Sequence, residues 1–259
     1  MSAVIRIENL TKVYCKKTIL NQIPGYSKRE ITVFENLNLE IPEGEVFGLL
    51  GLNGAGKTTL MKVLLGLIFP TRGNAWILGK RIGNIEIKKR IGFLPEMPYF
   101  SKNSTPEEIL NFYAKLFGLE DHVREKRINE TLELVGLSEK RWQKLREFSK
   151  GMLQKVGIAQ LLINDPDLLF LDEPTFGLDP LACKEMRDII LAMKKKKKTI
   201  FLSSHQIGEV EKICDRIGIL HSGKLINVGK VVLPLEDYFV NAVTVKNKCR
   251  RYPSGVAFG

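Results

Sequence analysis

The sequence predicts an α/β fold with a mainly parallel sheet, an N-terminal antiparallel β subdomain and an inserted helical subdomain. Two early segments, Ile5 to Leu10 and Leu37 to Ile41, alternate apolar and polar residues as half-buried antiparallel strands do. Later, short apolar runs lie at Leu168 to Leu171 and at Thr199 to Ser203, separated by a helical stretch that opens at Asp179-Pro180. That alternation predicts parallel strands joined by a crossover helix.

The bulk composition is that of a chain able to bury a substantial core. Of its 259 residues, 44% are hydrophobic, so one enzyme-sized domain with a subdomain is expected. The formal net charge of +11 favours contact with anions, which include nucleotides, nucleic acids and acidic lipid headgroups. The four cysteines form no CxxC pair and have no histidine at metal-ligand spacing, so reduced thiols are expected.

The sequence shows no membrane-spanning segment of its own. No window approaches the roughly 18 consecutive apolar residues that a spanning helix needs, and the N-terminus lacks the pattern of a signal peptide. We therefore expect an intracellular chain, for which any role at a membrane comes through a partner.

The first buried strand follows a long connection. Residues Cys15 to Glu35 mix charges with Pro24-Gly25 and show no sustained period, which predicts a long hairpin connection. Pro42-Glu43-Gly44 then supplies a turn into Val46 to Leu50, a continuous apolar run typical of a strand buried on both faces.

A helical subdomain is predicted over about residues 97–160, inside a domain that spans residues 4–235. Thr105 is a cap candidate with Pro106 at the first helical position and Glu108 at the third, ahead of periodic apolar residues. Val123 to Val135 continues with helical spacing, and Gly136 stands where a helix stop is expected. Residues 236–259 are expected to form a C-terminal tail, within which Asn241 to Gly259 show no clear period and are expected to be loosely ordered.

A phosphate-binding loop follows the strand at Val46 to Leu50. The segment fits the pattern G-x-x-x-x-G-K-[ST] and leads into a helical segment, Thr59 to Leu67, so the sequence predicts a P-loop NTPase core. Glycines let the backbone amides and the helix N-terminus face the phosphates of ATP. Lys57 should reach the β- and γ-phosphates, and the Thr58 hydroxyl should bind Mg²⁺. The nucleotide-binding residues predicted here are Gly51, Leu52, Asn53, Gly54, Ala55, Gly56, Lys57, Thr58 and Thr59.

Two carboxylates end the apolar strand at Leu168 to Leu171. A carboxylate pair at the C-terminal end of a strand, beside a phosphate loop, is suited to hold a metal and to activate water. We therefore predict that Asp172 associates with the metal, directly or through water, and that Glu173 is the general base. Without the phosphate loop, such a pair would be read as solvated surface.

Further motifs narrow the class of NTPase. Phe148-Ser149-Lys150-Gly151-Met152 resembles the L-S-G-G-Q signature of ATP-binding cassette (ABC) proteins, and Gly177-Leu178-Asp179 resembles the D-loop of that family. His205 resembles its switch histidine, and Tyr14 lies where the family places an aromatic that stacks on adenine. The resemblance runs from about Val4 to Gly229. Tyr14 has a second interpretation, a packing role, because the long connection that follows can displace it.

The resemblance implies roles for these residues. In ABC proteins two cassettes meet head to tail, so Ser149 and Gly151 would contact the nucleotide of the opposite subunit and Asp179 would lie near it. Lys57, Glu173 and His205 would be catalytic, with His205 supporting the γ-phosphate. The implied function is an ATP-hydrolysing transporter subunit at the inner face of the cell membrane, with a separate permease and a second cassette as partners and with ATP and Mg²⁺ as ligands.

Two departures from the family pattern stand out. The Q-loop position carries Glu96, which cannot donate through an amide but can accept from metal-bound water. Lys150 replaces the first glycine of the signature, and Met152 replaces its glutamine. Cassettes that resemble bacterial two-component exporters tolerate both changes, so the resemblance implies an active variant and favours export. Motion would reach the permease near Glu96 to Tyr99.

Two alternatives stay open from the sequence. One is a soluble ABC ATPase that acts on nucleic acid or ribosomes, to which the basic run Lys194 to Lys198 would contribute. The chain shows neither a second cassette nor a long coiled-coil insertion, so direct binding to nucleic acid is not expected, and the lysine run is interpreted as a solvated helix end. The other is a regulatory cassette that binds ATP with little hydrolysis, because Glu96 and Lys150 weaken the site.

Overall fold

The computed structural model describes residues 3–15, 30–231 and 234–240. They form an antiparallel sheet, a second sheet that is mainly parallel, and a helical subdomain, as the sequence predicts. Among these described residues, no helix is long and apolar enough to cross a bilayer.

The N-terminal sheet is antiparallel and has four strands. They are β1 (Ala3–Cys15), β2 (Glu30–Pro42), β4 (Arg72–Ile77) and β5 (Lys80–Arg81), in the order β2-β1-β4-β5. Register shifts interrupt the pairing of β1 with β2, and left-handed residues at Asn9 and Asn36 accompany them. Such irregularities bend and twist a strand pair, and the buried side chains of this pair share one core with the second sheet.

The predicted connection from Cys15 to Glu35 is wrong at its C-terminal end. Residues from Glu30 onward belong to β2, with Thr32 opposite Val13 and Ile31 opposite Tyr14. The alternation was hidden because the apolar residues Val33 and Phe34 are adjacent. The rest of the predicted connection, residues 16–29, lies outside the described part of the chain.

The second sheet has six strands in the order β10-β9-β3-β8-β7-β6. All its neighbours are parallel except β9 and β10. The strands are β3 (Val46–Leu50), β6 (Ile91–Leu94), β7 (Leu168–Asp172), β8 (Thr199–Ser204), β9 (Arg216–His221) and β10 (Lys224–Lys230). The connections of the parallel strands contain α1 (Lys57–Leu64), α5 (Pro180–Lys195) and α6 (Ile207–Ile213).

Two hydrophobic cores lie on opposite faces of this sheet. In β7, Leu168 and Phe170 point into the core shared with the antiparallel sheet, whereas Leu169 and Leu171 point into the core shared with the helices. The period of two assigns alternate residues to each core. A strand buried on both faces therefore needs an unbroken apolar run, and that run ends at Asp172, where the sheet meets solvent-accessible space.

The helical subdomain contains α2 (Pro106–Leu116), α3 (Asp121–Leu134) and α4 (Lys150–Leu162). The predicted capping box is present at the start of α2: Thr105 accepts from the Glu108 amide, and the Glu108 carboxylate accepts from the Thr105 amide. Gly136 adopts a left-handed φ of 66° just past the end of α3, which suits a residue without a Cβ.

The described part of the predicted tail is helical. Residues 235–240 form a short helical turn, and Leu235 is fully buried in the core on the helical side of the sheet. The Leu235 amide donates to the Glu211 carboxylate at 2.6 Å. Residues 241–259 lie outside the described part of the chain.

Candidate functional site

The carboxyl ends of three neighbouring parallel strands meet at one edge of the sheet. β3, β8 and β7 lie side by side, so the segments that follow each strand surround a common cleft. The cleft has a volume of about 460 Å³. It is lined by Val33, Leu52, Asn53, Gly54, Ala55, Gly56, Lys57, Thr58, Thr59, Glu96, Glu173, Phe176 and His205.

The loop after β3 wraps around one side of the cleft. Gly54 and Gly56 have left-handed φ values of 80° and 104°, a conformation that glycine adopts without strain. A Cβ on Gly51 would come within 2.5 Å of the Leu220 carbonyl oxygen, so this glycine allows the close approach of two backbones. The loop leads into the N-terminus of α1, whose free amides and dipole favour an anion.

Lys57 is the first residue of α1 and is only 6% exposed. Its ammonium donates to the Gly51 carbonyl at 2.7 Å and lies 3.1 Å from Oε1 of Glu173. A buried ammonium needs partners because removal from water is costly for a charge. Here the partners are a carbonyl at the start of the loop and the carboxylate predicted to be the general base, so one cation joins the two halves of the cleft.

Asp172 is held by hydroxyl groups from two other elements. Oδ1 of Asp172 lies 3.3 Å from the Thr58 hydroxyl and 2.5 Å from the Ser203 hydroxyl, both of which donate to it. Ser203 faces Asp172 across the parallel pairing of β7 with β8. The carboxylate is 3% exposed, so these hydrogen bonds fix its orientation towards Thr58 and the phosphate loop.

Glu173 has an unusual backbone conformation. Its φ is +49°, the left-handed region that residues with a side chain seldom adopt. The Glu173 amide donates to the carbonyl and to the hydroxyl of Ser203, at 3.1 and 3.3 Å. This turn takes the chain out of the sheet and leaves the carboxylate, 7% exposed, in the wall of the cleft.

His205 contacts the second oxygen of the same carboxylate. Its Nδ1 lies 2.9 Å from Oε2 of Glu173, and its backbone amide donates to that oxygen at 3.3 Å. The ring of Phe176 packs edge-on against the imidazole, with 5.3 Å between centroids. Glu173 is therefore held between Lys57 and His205.

The donor set at the loop fits Mg²⁺. The Thr58 hydroxyl and the Asp172 carboxylate are oxygen ligands of the kind that this ion prefers, and they are already adjacent. No group of three or more His, Cys, Asp or Glu side chains that could hold a metal occurs among the described residues. An ion at Thr58 would therefore take its remaining ligands from phosphate oxygens and water, which is how Mg²⁺ is bound in nucleotide sites.

The structure does not bring every predicted residue to this cleft. Ser149 and Asp179 are exposed N-caps of α4 and α5, and their side chains accept from the Met152 and Ala182 amides. Neither these two residues nor Gly151 lines the cleft. That separation agrees with a role towards a second subunit, which stays a prediction.

Tyr14 is not among the residues that line the cleft. Its ring is 42% exposed and lies 4.7 Å from the Lys12 ammonium, whereas Val33 of β2 lines the cleft. Stacking of Tyr14 on adenine stays a prediction.

Glu96 lies at the cleft and is tied to the signature helix. The fully buried Gln154 of α4 donates from Nε2 to the Glu96 carbonyl at 2.7 Å. Glu96 itself lines the cleft. The backbone at Glu96 therefore connects the nucleotide cleft to α4, which carries Ser149 and Gly151.

Three residues of the site were not predicted. In the sequence, Ser203 is predicted only as part of an apolar strand. A serine at the end of such a strand does indicate a possible site residue, because the neighbouring strand ends in Asp172. Phe176 and Val33 line the cleft. Phenylalanine and valine have no group that binds a phosphate or a metal, so the sequence does not mark these two residues, and only the fold brings them to the cleft.

The protein belongs to the ABC transporter family. The model of that family matches residues 34–176, which include the phosphate loop, the signature and the acidic pair. This match and the fold confirm the predicted fold class and the predicted family, and they identify the chain as an ABC ATPase with an ATP-binding site.

Curated relatives match most of the chain. An uncharacterised ABC transporter ATP-binding protein of Nostoc is 48% identical over 88% of this chain and 67% of its own length. A bacitracin transport ATP-binding protein of Bacillus licheniformis is 42% identical over 87% of this chain and 69% of its own length. The chain thus spans about two thirds of the length of these relatives.

A solved structure has the same fold. It is a dimeric post-hydrolysis state of an ATP-binding cassette bound to ADP and Pi, which matches with a TM-score of 0.76 and 25% identity. The match covers 88% of this chain and 99% of that chain. The two chains therefore share one fold over most of their lengths.

Proposed function

We propose that this chain binds ATP with Mg²⁺ and hydrolyses it to power export through a separate membrane-spanning partner. The observation that carries the proposal is the junction of the phosphate loop with the acidic strand end. Lys57 contacts Glu173 and Thr58 contacts Asp172, both at the cleft that the loop encloses.

Binding of ATP would use groups that now bond to each other. Lys57 donates to a loop carbonyl and to Glu173; a triphosphate would offer it stronger anionic acceptors. Thr58 and Asp172 would hold Mg²⁺, which supplies charge neutralisation at the phosphates. Transfer of Lys57 to the phosphates would leave Oε1 of Glu173 free to orient a water molecule, while His205 retains Oε2.

A second cassette would complete the site. Ser149 is exposed and does not line the cleft of its own chain. One chain therefore cannot place Ser149 on its own nucleotide, whereas a head-to-tail pair can. Dimerisation in the solved cassette bound to ADP and Pi supports this arrangement.

The membrane partner would dock beside Glu96. Met97 and Tyr99 follow it along the chain and are 68% and 94% exposed, so they offer apolar surface for a partner to bury. Transport of bacitracin by a relative supports a transporter role. We accordingly place the chain at the cytoplasmic face of the cell membrane.

The test is phosphate release from MgATP by the purified chain, with ATP affinity measured by calorimetry. Lys57→Ala should weaken ATP binding by at least about tenfold, since a desolvated phosphate contact is worth more than about 1.4 kcal/mol. The matched control is Lys62→Ala, which removes an exposed lysine of the same helix. Undiminished ATP affinity in Lys57→Ala would contradict the assignment.

The same purified chain separates the alternatives. A cassette that binds ATP without hydrolysis would show affinity but no phosphate release. A nucleic-acid-binding ATPase would bind RNA or DNA in a salt-sensitive way. Against that function, both ends of the basic run are already ion-paired, Lys194 with Asp215 and Lys198 with Asp165. The interpretation of the run as purely solvated is corrected by the same contacts.

A further inference from the structure

Lys150, which stands where the family pattern has glycine, does not simply extend into solvent. Its ammonium lies 4.9 Å from the centroid of the Phe176 ring, within the range of a cation–π interaction. Phe176 belongs to the segment just after Glu173, and its amide donates to the Glu173 carbonyl at 3.0 Å. A residue of the signature thus contacts the wall of the cleft within the same subunit.

The Lys150 side chain lies against Gly177. This glycine has a φ of +67°, and a Cβ on it would come 2.6 Å from the Lys150 ammonium. A side chain at position 177 would therefore occupy the space in which the lysine lies.

Phe176 also packs against His205. The two rings meet at an interplanar angle of 62° with centroids 5.3 Å apart, the edge-on geometry that aromatic rings prefer. His205 in turn has Nδ1 2.9 Å from Oε2 of Glu173. The side chains of Lys150, Phe176, His205 and Glu173 thus form a continuous series of contacts in that order.

We propose that Lys150 is a positioning residue that acts through Phe176 to hold His205 against Glu173 in the same subunit. The proposal rests on the function proposed above. His205 is 29% exposed in its side chain, so it is not fixed by burial alone, and a packed ring limits its rotamers. Phe176 is itself 36% exposed, so burial alone does not fix its ring, and the cation of Lys150 adds a restraint.

The substitutions separate charge from shape. Lys150→Met keeps a long flexible side chain and removes the cation, whereas Lys150→Arg keeps a cation that stacks on aromatic rings. Phe176→Leu removes the ring that receives the contact. Lys115→Met, at an exposed lysine of α2, makes the same change of charge away from the cleft.

The first measurement is NMR of the nucleotide-free chain with labelled histidine. The chain has three histidines, and His205→Gln assigns the resonance of interest. If the proposed arrangement is right, the chemical shift of the His205 ring protons changes in Lys150→Met, and in the same direction as in Phe176→Leu. In Lys150→Arg the chemical shift returns to the wild-type value. Adding Lys150→Met to Phe176→Leu should then change nothing, because the path is already broken. A His205 resonance unmoved by Lys150→Met, or additive shifts in the double variant, would overturn the proposal.

The second measurement is steady-state hydrolysis of MgATP. The strength of an exposed cation–π contact corresponds to a fall in kcat of about two- to fivefold in Lys150→Met. KM should stay within about twofold, since Lys150 does not line the cleft, and Lys150→Arg should recover the rate. Unchanged kcat in Lys150→Met overturns the positioning role. If the wild-type chain does not hydrolyse ATP at all, the proposed function is refuted instead. The NMR result would still decide whether Lys150 positions His205 through Phe176.

Discussion

The nucleotide cleft and the helical subdomain both bury polar groups, but they satisfy them differently. In the cleft, Lys57 meets Glu173 and Thr58 meets Asp172, pairs that are more than 100 residues apart in the chain. In the helical subdomain, Thr105 and Glu108 satisfy each other within one helical turn. Local pairs serve the fold alone, whereas the distant pairs form only at a junction of elements.

The two kinds of pair differ in how easily a ligand can replace one partner. The hydrogen bonds between Thr105 and Glu108 cannot break without loss of the first turn of α2. Lys57 and Thr58, by contrast, open onto space large enough for a triphosphate and could exchange their present partners for its oxygens. Substitutions should therefore alter turnover in one region and stability alone in the other.

The largest effect is expected at Glu173. Glu173→Gln should slow hydrolysis by roughly 10²- to 10⁴-fold while ATP binding persists, because the amide cannot accept a proton from water. Steady-state phosphate release and calorimetry measure the two quantities. Glu133→Gln, which removes an exposed carboxylate of α3, is the control. A rate near that of the wild type would remove Glu173 from its role as base.

In the helical subdomain, the largest effect should be on stability. Leu132 of α3 is 1% exposed in the core, and Leu132→Ala should lower the free energy of unfolding by about 2–5 kcal/mol. Leu116→Ala, at a side chain that is 68% exposed, should change it by about 0.5 kcal/mol or less. Urea denaturation compares the two variants, and equal losses would contradict the assigned core.

Ser203 tests whether the cleft also contributes to folding. Ser203→Ala removes the hydroxyl that donates to the buried Asp172, so the nucleotide-free chain should lose about 1–3 kcal/mol of stability. Ser204→Ala, which removes a hydroxyl that accepts from the Gln206 amide, should cost about 0.5–1.5 kcal/mol. Should the two variants unfold at the same urea concentration, the carboxylate contact would have no special weight.

The smallest effect is expected at the cap of α2. Thr105→Ala should lower the free energy of unfolding by about 1 kcal/mol, since the Glu108 amide would lose its acceptor. Thr105→Ser keeps the hydroxyl and should stay close to the wild type. Thermal unfolding followed by circular dichroism measures both. Equal destabilisation of the two variants would show that the methyl group, and not the cap, is what matters.

Sequence reasoning found the parts of the molecule whose physics is local. The phosphate loop, the apolar run that ends in Asp172 and the box around Thr105 each contain, within about ten residues, the groups that define them. Strand β2 was found only in its second half, because the adjacent residues Val33 and Phe34 break the alternation. Pairing with β1 over a long separation restores order there, and a local pattern cannot show it.

The residues that escaped prediction act through the fold. Ser203 reaches Asp172 only because β8 pairs with β7, and Val33 reaches the cleft only because β2 packs beside the phosphate loop at Gly56. The contact of Lys150 with Phe176 joins two motifs that are 26 positions apart in the printed sequence. Such neighbours have no spacing rule, so only coordinates reveal them.

The left-handed backbone conformation of Glu173 is a cost in stability at a residue that the activity needs. A side chain in that conformation costs about 1–3 kcal/mol. The Glu173 amide donates to Ser203, and the His205 amide donates to the Glu173 carboxylate, so hydrogen bonds on both sides hold the residue there. Glycine at this position would relieve the backbone cost but would leave the buried ammonium of Lys57 without its carboxylate partner. Engineering for heat resistance would therefore have to begin at another position.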